Sequence, residues 1–227
     1  MVHDDDDGIV AAATQTPPHN LILATPGEPQ GVRLLAKRLG KLPGVIGILP
    51  GVQTFVAARP ETAHHTMSQG VYELANVIPP RPGAGTSRPA LPRERDVLVH
   101  WHVAFQEEAV GQVVPGAAEH LVDHRLQGPA HDFGLWVHEV NDVIVAMSGH
   151  TGPTPNRIRI GPVYTSPESR VNGYASRLVA AESQWLLDNG RRFCFLYTDL
   201  ENPTSNSIYE RIGFRKTAES AEYSFED

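Results

Sequence analysis

The run Ile160-Gly161-Pro162-Val163-Tyr164-Thr165-Ser166-Pro167-Glu168-Ser169-Arg170-Val171-Asn172-Gly173-Tyr174-Ala175 reads as strand, tight loop, helix. Free amides at a helix start, beside small residues that let the backbone approach, make an anion site suited to a pyrophosphate. Arg170 adds positive charge there. No Gly-Lys-Ser/Thr closes the loop, and the three glycines and following acidic residue of a dinucleotide site are missing, so two familiar phosphate motifs are excluded. An ordinary strand-to-helix turn with one glycine is the competing reading.

Other reactive side chains carry less. His120 and His124 lie one helical turn apart, which is metal-ligand spacing, but no Glu follows His120 and no third ligand is evident, so a solvated helix face is expected and no metal. The adjacent His64-His65 and the pair His100 and His102 fall in expected helices and point to different faces. Cys194, the single cysteine, sits in the apolar run 193–196, which predicts burial in a strand and not a nucleophile. The aspartate run at 4–7 reads as a solvated turn or frayed end.

Periodicity supplies the framework around the loop. A Pro/Gly/Ser cluster at 79–87 reads as a linker. After it, apolar spacing of three and four predicts helices at 94–110 and 117–126, then a hairpin of 133–138 and 143–148 around Asn141-Asp142. A strand at 157–165, a helix at 173–187 stopped by Asn189-Gly190, and a buried strand at 193–198 imply a parallel pair with a crossover helix. A helix at 202–211 and a strand at 221–225 complete an α+β unit with a mixed α/β sheet. Residues 1–78 echo this order: strand-like 9–16, a turn at 17–20, strand-like 21–24, helical 32–40, apolar 45–49, helical 52–64 and alternating 71–77.

With 227 residues, one large domain or two small ones fit. Hydrophobic residues at 41% and charged residues at 20% match an ordinary globular chain. Nineteen basic against 26 acidic residues, a net charge of −7, argue against non-specific nucleic-acid binding and lean towards neutral or cationic partners. No apolar run suggests a membrane span or signal peptide, so a cytoplasmic location is expected.

The loop 170–175 resembles the Arg/Gln-x-x-Gly-x-Gly/Ala loop of the GNAT superfamily of acyl-CoA-dependent N-acetyltransferases. The stretch Asn202-Pro203-Thr204-Ser205-Asn206-Ser207-Ile208-Tyr209-Glu210-Arg211-Ile212-Gly213-Phe214 is similar to that family's second signature. The two occur in the family's order and separation, and the resemblance covers about 84–227. It implies a GNAT-like fold there and acetyl-CoA as cosubstrate. The pyrophosphate would rest on Arg170, Val171, Asn172, Gly173, Tyr174, Ala175 and Ser176; pantetheine would run along Val163, Tyr164 and Thr165 and touch Asn202 and Asn206. Many members carry glycine at the position of Val171, whose side chain crowds the phosphate unless it points to solvent. Residues 1–78 resemble a truncated, degenerate copy of the same fold with no Arg-x-x-Gly, leaving CoA binding to 84–227.

Acetyl transfer needs a neutral amine, a positioned thioester, donors for the carbonyl oxygen and a proton for the leaving thiolate. Its place in the second motif makes Tyr209 the proton donor; the competing reading is a buried tyrosine bonded to a backbone carbonyl. No carboxylate lies between Ile158 and Thr165 to act as base, so Glu107, Glu108, His150, Glu222 or a water relay are the candidates. The expected activity is acetyl transfer to an amine of a small molecule or peptide. An acyl-CoA sensor without turnover and a general nucleotide-phosphate binder are the alternatives. The N-terminal half-sheet is expected to be covered by the C-terminal domain or, preferably, by a second copy in a homodimer.

Overall fold

A computed structural model describes residues 1–3, 8–24, 27–109 and 113–226. The aspartate run at 4–7 and Thr25-Pro26 lie outside the described residues. In chain order the elements are β1 (Val2–His3), β2 (Ile9–Ala11), β3 (Ala13–Thr14), β4 (Leu21–Leu23), α1 (Pro29–Arg38), β5 (Gly44–Ile48), α2 (Gly51–Val56) and β6 (Thr62–Leu74). Then come β7 (Thr86–Pro89), α3 (Arg95–Ala109), α4 (Ala117–Gln127), β8 (Gly134–Val140), β9 (Val143–Thr151), β10 (Arg157–Thr165), α5 (Tyr174–Asp188), β11 (Phe193–Asp199), α6 (Pro203–Arg211) and β12 (Arg215–Glu226). The fold is mixed α/β, as the periodicity predicts.

The chain forms two compact units: Met1–Val71 with Tyr197–Pro203 and Lys216–Asp227, and Tyr72–Leu196 with Thr204–Arg215. This differs from a clean break at 79–87. In the first unit β4 runs parallel to β5, with α1 between them in sequence, and β5 pairs antiparallel with β12 through Ser220↔Ile48 to Ser224↔Gly44. Ala221 is buried in the same core as Val32, Leu35, Ala36, Val52 and Phe55. The C-terminal strand thus supplies part of the cover that the N-terminal sheet needs. The order β4-α1-β5-α2-β6 repeats that of β10-α5-β11-α6-β12.

The helix expected at 52–64 is only 51–56, and His64 and His65 lie in β6. Pro60 explains the difference: it has no N–H for a helix and biases Arg59 away from helical geometry. Arg59 itself donates to the carbonyls of Ala36 and Leu39, each at 2.7 Å, and of Gly40 at 2.8 Å, satisfying groups around the end of α1.

The second unit holds β7-β8-β9-β10-β11 in order, antiparallel except for the parallel β10–β11 pair. Asn141 (φ 51°) and Asp142 (φ 63°) turn the β8–β9 hairpin in the mirror-image geometry that suits strand twist. The expected linker ends in structure: β7 pairs with β8 from Thr86↔Glu139 to Pro89↔Trp136, and Ala84 O accepts from His138 Nε2 at 3.0 Å. Alternation along β8 and β9 separates two faces. Leu135, Val137 and Met147 pack with Leu98, Trp101 and Val122 of α3 and α4, whereas Trp136 and Ala146 pack on Leu178 of α5.

Candidate active site

The parallel pairing of β10 with β11 is confined to Arg157↔Phe193, Ile158↔Cys194 and Arg159↔Phe195. β10 continues to Thr165 against β9 on its other side, with a register shift between Ile160 and Val163 at the cis Gly161-Pro162 bond. One extra residue on one strand kinks it and re-aims the side chains beyond the kink. Ile158, Ile160 and Val163 accordingly share one core, while Tyr164 enters the core under α3. Among the described residues, the β11-side edge of β10 beyond Arg159 has no strand partner.

β10 feeds a turn at Pro167–Ser169, then the loop into α5. Gly173 caps the helix at φ 73° without a side-chain hydrogen bond, a conformation glycine adopts at no steric cost. The amides of residues 171 to 176 find no acceptor among the described residues, and the first amide bonded back along this turn is Arg177 N to Gly173 O at 3.3 Å. These are the unsatisfied donors of a helix start, where the positive end of the helix dipole also lies. Asn172 ties the loop by donating to Ser169 O at 3.1 Å and Arg170 O at 3.0 Å.

Val171 is also left-handed (φ 61°), a strained conformation for a β-branched residue, and its side chain is fully exposed. Pointing to solvent, it avoids the crowding that its position raises. Arg170 is committed elsewhere: it donates to Thr165 O at 3.1 Å and to both oxygens of Glu108, and lies 5.5 Å from the Tyr164 ring centre. Arg177, which loop reading overlooks, donates to Asn172 O at 2.9 Å and stacks on Tyr174. A basic residue one turn into the helix behind a glycine-capped loop is the signal that would have found it.

Asn206 and Tyr209 lie half-buried on α6, and Asn202 is exposed just before it, its amide bonded to Asp199 O. The Tyr209 ring packs edge-on to Phe214 at 5.9 Å, and its hydroxyl has no hydrogen-bond partner among the described residues. The carbonyl partner of the competing reading is not seen. Burial pushes this hydroxyl up to about 12, keeping it protonated at neutral pH.

The base candidates are scattered. Glu108 holds Arg170 and accepts from the Tyr164 hydroxyl at 3.4 Å; Glu107 is exposed on α3. His150 is fully buried, with Nδ1 2.8 Å from Glu182 and Nε2 2.8 Å from Ala130 O, so both ring nitrogens are used. Glu222 belongs to the first unit and accepts from Asn20 at 2.6 Å. Burial pushes the Cys194 thiol up to about 12, which leaves it unreactive at neutral pH. His120 and His124 have ring centres 6.5 Å apart, and no group of three or more metal-ligating side chains occurs among the described residues. Among those residues no helix is long and apolar enough to cross a membrane.

β10, released from its parallel neighbour, leads into a glycine-capped helix with open amides. The family model of the acetyltransferase (GNAT) family matches residues 97–214, more than half of the chain, and the chain belongs to that family. It is an acyltransferase of the GNAT type. A GCN5-related N-acetyltransferase from Kribbella flavida superposes with a TM-score of 0.65 at 16% identity, covering 91% of this chain and 81% of that one. A GNAT-family acetyltransferase from Colwellia psychrerythraea gives 0.66 at 11% identity, covering 99% and 84%. A GCN5-related N-acetyltransferase from Sphaerobacter thermophilus gives 0.63 at 18%, covering 97% and 78%. No curated protein matches the sequence.

Proposed function

We propose that this protein transfers the acetyl group of acetyl-CoA to a primary amine by direct attack. The carrying observation is the run of open amides at 171 to 176 behind the freed edge of β10. The pyrophosphate lies on those amides, and pantetheine pairs with the backbone of Val163, Tyr164 and Thr165. Asn202 and Asn206 are assigned to pantetheine from their place in the second motif. The amine attacks the thioester carbonyl, the carbon–sulfur bond breaks, and the Tyr209 hydroxyl gives its proton to the departing thiolate. A water relay or the exposed Glu107 takes the amine's proton, since Glu108, His150 and Glu222 are engaged by other groups. The cytoplasm is the compartment that the composition favours. A homodimer is part of the proposal, supported by Ile9 and Ile22, which are more than half exposed in the N-terminal unit.

Thermal unfolding with acetyl-CoA tests the reading. A ligand at about 100 times its Kd adds roughly 2.7 kcal/mol, or about 5–10 °C in Tm for a chain of this size. Gly173→Asp removes that rise by placing a carboxylate among the phosphates, whereas Gly173→Asn, which tolerates the left-handed conformation, retains part of it. An undiminished shift in Gly173→Asp contradicts the site. A reading without turnover draws on the engagement of Glu108, His150 and Glu222 by other groups; binding with no transfer to a broad amine panel would establish it.

A further inference from the structure

We propose that Arg125 and Arg159 form an acceptor subsite for a carboxylate, so that the amine substrate is an amino acid or carries a comparable acid group. Resting on the acetyltransferase reading, this deepens it by naming the acceptor class. Arg125 on α4 is 6% exposed. It reaches across β9 at Gly149, where a side chain's Cβ would stand 2.5 Å from its Nη1, and donates from Nη1 to Gly161 O at 2.9 Å. Gly161 is the bulge residue just beyond the point where β10 leaves β11. The guanidinium is thereby anchored to β10 near the point where it parts from β11, the end away from the 170–175 loop.

A buried cation ordinarily has its own counter-ion. No carboxylate is bonded to Arg125 among the described residues. Glu182 is the acidic group that acts on it, but it is held by Ser148 and His150. Those residues flank Gly149 on β9 and so point to the opposite face of the sheet. His102 on α3, also buried, has an unpartnered Nδ1 and brings no negative charge. The second cation on this face is Arg159, exposed on β10 and paired with Thr151 of β9, which lies two residues from Gly149 and so on the face that Arg125 crosses; it has no hydrogen-bond partner among the described residues. With Nη1 spent on Gly161, Arg125 has its Nε–H and Nη2–H edge left, and that side-on pair of parallel donors matches the two oxygens of a carboxylate. The overall charge of −7 leans towards cationic partners; around Arg125 and Arg159 the local charge is positive and decides.

The full chain is assayed for thiol release from acetyl-CoA with free amino acids, the matching amino acid amides, and phosphoethanolamine. The expected result is kcat/KM about ten- to a hundred-fold higher for acids than for amides. Arg159→Gln, an exposed change, should erase most of that preference by raising the acceptor KM while leaving the KM for acetyl-CoA unchanged; Arg125→Lys tests the bidentate requirement in a variant that retains the charge. Equal rates for acids and amides, or an unchanged preference in Arg159→Gln, overturn the subsite. Preference for phosphoethanolamine overturns the carboxylate assignment. Failure of acetyl-CoA to raise the Tm removes the acetyltransferase reading itself and is distinguished from these outcomes by that separate measurement.

Discussion

Arg170 Nη2 lies 3.0 and 2.7 Å from the two carboxylate oxygens of Glu108, and this contact turns the arginine of the 170–175 loop towards α3. Both side chains are nearly half exposed, so the contact is weak, on the order of 1 kcal/mol or less. Glu108→Gln should free Arg170 for phosphate and lower the KM for acetyl-CoA by roughly two- to five-fold with kcat unchanged. A loss of kcat at constant KM would instead make Glu108 the base.

Val171 offers a stability test that touches no contact. A left-handed L-residue costs roughly 1–2 kcal/mol, and glycine gives back about half of that relief through the entropy of the unfolded chain. Val171→Gly should raise stability by about 0.5–1 kcal/mol, a Tm gain of about 2–3 °C. A lower Tm in calorimetry would show that the exposed side chain is held by something more than its backbone.

Tyr209→Phe removes the hydroxyl and leaves the ring against Phe214. Turnover should fall about ten- to a thousand-fold while the acetyl-CoA Tm shift persists. Turnover equal to that of the unaltered protein would reduce Tyr209 to packing.

His102 makes stability depend on pH. Burial, helped by Arg125, lowers its pKa from 6.5 to about 4. Between these values the unfolded chain binds a proton that the folded chain refuses, so the contribution is complete above about pH 6.5 and is lost as pH falls towards 4. The shift is worth on the order of 3 kcal/mol. His102→Leu should flatten this part of the denaturation profile; an unaltered slope between pH 6.5 and 4 would show that His102 accepts its proton without cost.

The C-terminal order of elements, the strand limits of β10 and the loop at 170–175 were legible in the residues themselves. Those features depend on local rules: alternation, helical spacing, and glycine where left-handed backbone is needed. The same rules misjudged 52–64, where a single Pro60 outweighed an apolar pattern, and they read as a linker a segment whose end becomes β7 by pairing with β8. Tertiary pairing was needed to join residues 216–227 to the N-terminal unit, because β12 finds its partner in β5 more than 160 residues away. It was needed as well to show that Arg170 is held by Glu108 and that Arg125 reaches Gly161. Separations of 62 and 36 residues put these meetings beyond any local pattern, since a charged side chain's partner is set by which faces the bulge and helices bring together.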